Sequence, residues 1–120
     1  MTNKIQDAKI NYIEFPVKTN EDLQKTKSFY TKVFGWEYQD WGEDYSDTKD
    51  SGLGSGLNVD KSHKTKQPLA VIYVVNIETK KDEVIKAGGK IEKDIFPFPG
   101  GRRFHFVDPA GNELAVWSDR

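Results

Sequence analysis

The chain has 120 residues, enough for one domain with a substantial core but not for two independent domains. Its 18 basic and 19 acidic residues nearly balance, which argues against nucleic acid or an anionic membrane as a partner. It has no cysteine, which excludes disulfides, thiolate zinc sites and cysteine nucleophiles. No stretch approaches the roughly 20 apolar residues of a membrane span, and the N-terminus lacks the apolar core of a signal peptide. We therefore expect a soluble, cytoplasmic protein.

The first elements are a strand and a helix. The segment "KINYIEFPV" (9–17) is rich in β-branched and aromatic residues, which predicts a strand that Pro16 confines to an edge or an end. A helix of about 15 residues should follow, because Thr19 and Asp22 have the spacing of a capping pair. Gly35 is well placed to end that helix.

The rest of the first half is predicted to be strands. "WEYQD" (36–40) indicates one strand, and the polar stretch after it has strand-like pieces around Tyr45 and Leu57. "GLGSGL" (52–57) fits neither nucleotide motif and precedes no helix, so flexible or closely packed backbone explains its glycines better than a phosphate loop. The polar segment 61–67 is the best internal boundary.

The pattern then restarts. "PLAVIYVVN" (68–76) predicts a strand that is buried on both faces. The next segment predicts a helix capped by Thr79 and Asp82 and ended by Gly88 or Gly89.

Three strands complete the second half. "KIEKDIF" indicates a strand and "PFPGG" a rigid turn, and "RRFHFVD" and "ELAVWSD" indicate two strands joined by the turn Asp108–Asn112. The order of strand, helix and several strands thus occurs twice, which indicates an α+β fold. A ferredoxin-like domain, the main alternative, would have fewer strands after each helix.

Two anchors carry a family resemblance. The doubled order, with "FYTKVFGWE" after the first strand and "DPAGNELAVW" at the end, resembles the vicinal oxygen chelate superfamily over residues 8–118. That superfamily includes glyoxalase I, bleomycin-resistance proteins and extradiol dioxygenases. The resemblance implies paired βαβββ modules, about 8–60 and 68–118, that form a cup-shaped, curved mixed sheet.

The resemblance also implies where metal ligands should stand. The first-strand ligand falls at Tyr12, its counterpart in the second module at Ala70, and the glutamate of the last strand at Ala115. The fourth position lies in the glycine-rich region and does not align. Alanine offers no donor atom, so we expect no cofactor; a divalent metal at a displaced site is the alternative.

Two residues are candidates for acid–base chemistry. Strand alternation places Glu14 on the same face as Tyr12, where it could act as a general base or accept hydrogen bonds from a ligand. The competing interpretation is a carboxylate near the rim that is solvated or paired with a lysine. His105 shares a face with Arg103 opposite two phenylalanines, and either contacts a ligand or is a hydrogen-bonded histidine on a partly exposed strand. His63 is predicted to be solvated.

Other residues are candidates for ligand binding. Arg102 and Arg103 could bind a carboxylate or phosphate, although exposed, unpaired arginines are commoner. Trp117 shares a strand face with Ala115, which makes it the best aromatic candidate for the cup. Further aromatic candidates are Trp36, Trp41, Tyr45, Phe96 and Phe98.

The leading hypothesis is a superfamily member without a conventional metal site that binds a small organic molecule. Glu14 and His105 are the catalytic candidates, and Tyr12, Arg103 and Trp117 are the ligand-binding candidates. One alternative is a metal-dependent lyase or dioxygenase that uses Glu14 and His105, with Asp108 or Glu113 as a further ligand, in a displaced site. Another is an interaction module whose cavity is filled by its own side chains. The resemblance further implies a homodimer.

Overall fold

The computed structural model describes residues 6–60, 62 and 64–120. The prediction for His63 therefore lies outside the described residues. The elements in chain order are β1 (Lys9–Pro16), α1 (Asn20–Phe34), β2 (Glu37–Trp41), β3 (Tyr45–Lys49), β4 (Gly54–Asn58), β5 (Leu69–Tyr73), α2 (Ile77–Lys86), β6 (Lys90–Phe98), β7 (Gly101–Val107) and β8 (Glu113–Ser118).

This order contains the βαβββ pattern twice, once from β1 to β4 and once from β5 to β8. The prediction of an α+β fold with paired βαβββ modules is confirmed, and the ferredoxin-like alternative is excluded. The described chain divides into two compact units, which we call the first unit (12–69) and the second unit (6–11 with 70–120). None of the helices in the described ranges is long and apolar enough to cross a membrane.

The first unit is a mixed four-stranded sheet with α1 on one face. Its strand order is β2-β3-β4-β1, in which β1 and β4 are parallel and the other pairs are antiparallel. The core forms where Leu23 of α1 packs with Val17, Leu57 and Val59. Burial of these aliphatic side chains contributes about 1.5–3 kcal/mol each.

Helix α1 begins and ends where the sequence predicts. The Thr19 side chain accepts a hydrogen bond from the backbone N–H of Asp22 at 3.0 Å, and Gly35 ends the helix in the left-handed region at φ 76°. The rest of the helix is less buried than its apolar spacing suggests. Phe29, with 57% of its surface exposed, and Phe34, with 60%, lie mostly outside the core.

The second unit repeats the plan with the strand order β5-β8-β7-β6, and α2 packs on one face. Helix α2 starts earlier than predicted. Asn76 is its N-cap and accepts from the backbone N–H of Thr79 at 3.0 Å, so the predicted cap at Thr79 and Asp82 is wrong. An asparagine one turn earlier already satisfies that N–H group. Gly88, at φ 98°, follows the helix as predicted.

Two strands of the second unit differ in length from the prediction. β6 continues through Pro97 and Phe98, so the turn before β7 contains only Pro99 and Gly100. β6 lies at an edge of the sheet of this unit, where a proline without an N–H group is tolerated. β5 is shorter than predicted and alternates between buried and half-buried residues, so only one of its faces is fully buried.

The turn between β7 and β8 is held by its own side chains. The Asp108 carboxylate accepts hydrogen bonds from the backbone N–H groups of Ala110 and Asn112, each at 2.9 Å. The Asn112 carbonyl in turn accepts from the Asp108 N–H. This confirms the predicted turn and fixes the register in which His105 lies opposite Ala115.

Candidate functional site

In the first unit, the sheet face opposite α1 carries a group of polar side chains. Phe15 and Leu57 pack toward α1, so strand alternation places their neighbours on the other face. The register brings β1, β3 and β4 together there, because Glu14 pairs with Gly56 and Gly56 pairs with Asp47. The side chains on this face are Tyr12, Glu14, Tyr45, Asp47 and Asn58.

Four of these side chains form a continuous chain of contacts. The Tyr45 hydroxyl donates to Oε1 of Glu14 at 2.9 Å, and the Tyr12 and Tyr45 hydroxyl oxygens lie 2.7 Å apart. The Tyr12 hydroxyl also contacts Oδ1 of Asp47. We call Glu14, Tyr45, Tyr12 and Asp47 the tyrosine–carboxylate cluster. It links two carboxyl groups from different strands through two phenols.

Each end of the cluster has a further donor. Nδ2 of Asn58 donates to Oε2 of Glu14 at 3.3 Å, and the indole N–H of Trp41 donates to Oδ2 of Asp47 at 2.8 Å. Glu14 is buried, with 2% of its surface exposed, whereas Asp47 is half-buried beside the exposed Trp41. The cluster therefore runs from a buried end to a more accessible end. The interpretation of Glu14 as a solvated rim residue is wrong.

Gly56 leaves the space that the two phenols occupy. A Cβ at this position would overlap the Tyr12 hydroxyl and lie 2.5 Å from the Tyr45 hydroxyl oxygen. Real Cβ atoms essentially never approach a heavy atom so closely. The glycine is therefore required by packing, in agreement with the closely packed backbone that the sequence favours for this segment.

Burial keeps both phenols of the cluster protonated. The pKa of Tyr12 is raised well above its usual range, first by burial and then by its hydrogen bond to Asp47. The pKa of Tyr45 is also raised well above its usual range, first by burial and then by the charge of Glu14. At neutral pH both residues are therefore neutral phenols that can donate a hydrogen bond or pass on a proton.

In the second unit, the sheet face opposite α2 carries His105 and Glu113. Phe104 and Phe106 pack toward α2, so His105 lies on the other face as the sequence predicts. Its Nδ1 lies 2.8 Å from Oε2 of Glu113 on the neighbouring strand. His105 is fully buried, so the expectation of a partly exposed strand is wrong at this position. A carboxylate at this distance fixes the orientation of the imidazole.

Arg103 and Trp117 are cross-strand partners on the same face of the second unit. The Arg103 guanidinium carbon lies 5.3 Å from the centroid of the Phe96 ring, a cation–π distance. The Trp117 indole N–H donates to Oδ1 of Asn11 at 3.1 Å, and its ring meets that of Tyr73 edge to face at 5.0 Å. This part of the face thus combines one cation with several aromatic rings.

The structure joins some predicted site residues and adds others. Tyr12 and Glu14 share a face, as predicted, and both contact Tyr45, which the sequence presents only as an aromatic lining candidate. The role of Asp47 was not predicted. The sequence feature that could have indicated Asp47 is the alternation of Tyr45 and Asp47 around buried Ser46. The register of β3, β4 and β1 that brings Asp47 to Tyr12 is not visible in the local sequence.

Two surface grooves flank α1 in the first unit. One, of about 350 Å³, includes Pro16, Tyr30 and Pro68 in its lining, and the other, of about 500 Å³, includes Lys27 and Tyr38. Both lie beside the helix. They are therefore distinct from the face that carries the tyrosine–carboxylate cluster.

The residues at the ligand positions of the resemblance do not fit a divalent metal ion. Tyr12 is a neutral phenol already bound to Asp47, and Ala70 and Ala115 carry no donor atom. Within residues 6–60, 62 and 64–120, no three histidine, aspartate or glutamate side chains are grouped closely enough to hold a metal. At the displaced site, Asp108 uses its carboxylate to close the turn, while His105 and Glu113 contact each other.

Comparisons with known proteins agree with this fold. The family model of the Glyoxalase/Bleomycin resistance protein/Dioxygenase superfamily matches residues 9–116. No curated protein sequence matches the chain at a significant level. Among solved structures, the chain resembles one described as an NAD-dependent benzaldehyde dehydrogenase from Legionella pneumophila, with a TM-score of 0.72, 17% identity, and coverage of 89% of this chain and 96% of that one.

Two further solved structures bear the superfamily's name or that of a glyoxalase. The Mn(II)-bound glyoxalase from Novosphingobium aromaticivorans has a TM-score of 0.66 and 22% identity over 94% of this chain, which spans only 39% of that longer protein. A superfamily member from Vibrio splendidus 12B01 has a TM-score of 0.64 and 16% identity, covering 89% of this chain and 96% of that one. At these identities the likeness concerns the fold. On the match of the family model over residues 9–116, the chain belongs to the Glyoxalase/Bleomycin resistance protein/Dioxygenase superfamily.

Proposed function

We propose that this superfamily member binds a small organic molecule without a conventional metal site. The observation that carries the proposal is the state of the three implied ligand positions, which hold a neutral, hydrogen-bonded phenol at Tyr12 and alanines at Ala70 and Ala115. These residues offer hydrogen bonding and apolar contact in place of coordination. Small-molecule sites commonly combine apolar walls with a few convergent polar groups.

The proposal assigns ligand contacts to Arg103 and Trp117 in the second unit and keeps Tyr12 in the first unit as a separate ligand-binding candidate. Arg103 carries a planar guanidinium that suits a carboxylate or phosphate, and Phe96 lies against it. Trp117 supplies an aromatic surface on the neighbouring strand. This chemistry favours an aromatic or apolar molecule that bears an anionic group.

Glu14 in the first unit and His105 in the second are separate candidates for an acid–base residue if a bound molecule is turned over. Glu14 contacts the Tyr45 hydroxyl, and His105 is oriented by Glu113. A base whose partner is fixed by a third group is the usual arrangement for proton transfer in enzymes. Binding alone requires neither residue to exchange a proton, so the two activities can be tested separately.

The binding test follows the fluorescence of Trp117 in a variant that has no other tryptophan. The chain has three tryptophans, so a Trp36→Phe/Trp41→Phe variant reports on Trp117 alone. Titration with benzoate and other aromatic carboxylates should change its fluorescence in a saturable way. Arg103→Met should weaken binding about tenfold to a hundredfold, because a hydrogen bond to a charged group contributes about 1.5–3 kcal/mol.

Arg102→Met provides the matched control. Arg102 neighbours Arg103 in sequence but forms an ion pair with Glu78 at 2.5 Å, and alternation places it on the opposite face of β7. The Arg102→Met substitution should leave the affinity for aromatic carboxylates unchanged. Equal losses in the two variants, or no saturable signal with any aromatic carboxylate, would refute the assignment of Arg103 and Trp117.

Metal analysis tests the metal-free part of the proposal. Protein purified without a chelating tag and then incubated with zinc or iron should lose the added ion on dialysis. A stoichiometric ion that resists dialysis would contradict the proposal. It would favour the metal-dependent alternative, in which the contact between His105 and Glu113 supplies two ligands, and His105→Ala should then release the ion.

The cytoplasmic location and the homodimer are also proposals. The family resemblance supports the dimer, and α1 exposes the apolar side chains of Phe29, Val33 and Phe34. Exposed apolar patches commonly mark interaction surfaces. Light scattering coupled to size exclusion should give a dimer mass, and a monomer at all accessible concentrations would refute this part.

A further inference from the structure

The tyrosine–carboxylate cluster has fewer hydrogens than its hydrogen bonds require if both of its carboxyl groups are ionised. Its four groups are joined by three contacts, from Glu14 to Tyr45, from Tyr45 to Tyr12 and from Tyr12 to Asp47. Each hydrogen bond requires one hydrogen, and an ionised carboxylate supplies none. The two phenols supply only two hydrogens for three contacts.

With one hydrogen for each contact, the two phenols cannot satisfy all three contacts. If both donate to the carboxylates, the hydroxyl oxygens of Tyr12 and Tyr45 face each other at 2.7 Å without a hydrogen between them. That distance is typical of an O–H···O hydrogen bond. If one phenol donates to the other, one carboxylate is left opposite a hydroxyl oxygen that has no hydrogen to give it.

We propose that the cluster holds a third proton, shared between Glu14 and Asp47, and that it acts as a proton relay for Glu14. The relay deepens the proposed function, because it rests on Glu14 as the acid–base residue. With the proton on Glu14, Glu14 donates to Tyr45, Tyr45 to Tyr12, and Tyr12 to ionised Asp47. With the proton on Asp47, each of these three hydrogen bonds runs in the opposite direction.

A shift of three hydrogens converts one state into the other. The carboxyl hydrogen of Glu14 passes to the Tyr45 oxygen, the Tyr45 hydrogen to Tyr12 and the Tyr12 hydrogen to Asp47. No atom is gained or lost, and the net charge of the cluster stays the same. Glu14 is an acid in the first state and a base in the second, so the relay supplies both forms of one catalytic group.

The surroundings of the cluster suit this role. Trp41 and Tyr12 both contact Asp47, which allows it to carry the negative charge in one state. Asn58 contacts Glu14 and can support its charge in the other state. Gly56 provides the space in which the two hydroxyls meet. The accessible end at Asp47 gives the buried Glu14 a route for protons to and from solvent.

Infrared spectroscopy of the whole protein at neutral pH tests the proposal. The unmodified protein should show a carboxylic acid C=O band that moves to lower frequency in D₂O. Glu14→Gln and Asp47→Asn should each abolish the band, because an amide supplies the missing hydrogen from its own N–H group. Side-chain ¹³C labelling of aspartate and of glutamate should each shift part of the band, because the proton is shared.

Tyr73→Phe is the matched control. Tyr73 donates to Asp119 at 2.6 Å, and this pair has one contact and one hydrogen, so it needs no additional proton. This variant should keep the band. Absence of the band from the unmodified protein, its persistence in either amide variant, or its assignment to one residue type alone would overturn the relay. None of these outcomes depends on benzoate binding, so a failure of the relay and a failure of the binding proposal are distinguishable.

Discussion

Replacement of Gly56 by alanine should disrupt the tyrosine–carboxylate cluster. The residue lies in β4 outside the left-handed region, so its backbone accepts alanine and the effect comes from the added methyl group alone. That methyl would overlap the Tyr12 hydroxyl and lie 2.5 Å from the hydroxyl oxygen of Tyr45 and 2.7 Å from its Cε1. The two rings must move apart, and their hydrogen bonds must lengthen or break.

The expected magnitude follows from these contacts. Overpacking of a well-packed site costs about 1–3 kcal/mol, and each lost hydrogen bond costs about 0.5–1.5 kcal/mol. Relief of glycine's chain entropy offsets about 0.4–1 kcal/mol. We therefore expect Gly56→Ala to lower the free energy of unfolding by about 2–4 kcal/mol, or roughly 10 °C in Tm.

A double-mutant cycle separates this cause from a general loss of stability. In a Tyr12→Phe background the overlapping oxygen is absent, so Gly56→Ala should cost at least about 1 kcal/mol less than in the unmodified protein. Urea unfolding of all four proteins, followed by circular dichroism, gives the coupling energy. A neutral Gly56→Ala, or effects that add within about 0.5 kcal/mol, would refute the packing argument.

Three other predictions concern the scaffold. Thr19→Ala should lower the free energy of unfolding by about 1 kcal/mol in urea, because Asp22 loses its N-cap acceptor, whereas Thr19→Ser should be nearly neutral. Gly35→Ala should cost about 1–2 kcal/mol in the same assay, because alanine resists the left-handed conformation at φ 76°, and an unchanged unfolding curve would contradict this. Backbone hydrogen bonds from Asn112 and the Asn112 amide lower the pKa of Asp108, so its stabilising effect is present above about pH 4 and is lost as the pH falls through the lowered value. Asp108→Asn should therefore reduce the loss of Tm in acid, and identical acid profiles of the two proteins would rule this out.

Features that depend on local chemistry could be predicted from the sequence. The cap at Thr19, the glycine after α1 and the turn at Asp108 each depend on residues within five positions of one another. The shared face of Tyr12 and Glu14 follows from alternation within one strand. The start of α2 was misplaced because Asn76 caps the helix one turn before the predicted Thr79.

Features that depend on strand register were missed. Asp47 reaches Tyr12 only because β3 pairs with β4 and β4 with β1, which no local pattern specifies. The contact between His105 and Glu113 is easier to predict from the sequence. The predicted turn fixes the β7–β8 register, and the two residues are diagonal neighbours within it.

The parallel strand pair of each unit has a consequence for the order of folding. β1 pairs with β4, and β5 with β8, as parallel strands whose partners lie roughly 40 residues apart in the chain. The antiparallel pairs between them join neighbours in sequence, and hairpins of this kind form within about 1–10 μs. Pairing of distant parallel strands is slow, because the chain loses loop-closure entropy before any stabilising contact forms. The hairpins of each unit should therefore form early. In the first unit, β1 should join β4 last, and the face that carries Glu14 is complete only after that step.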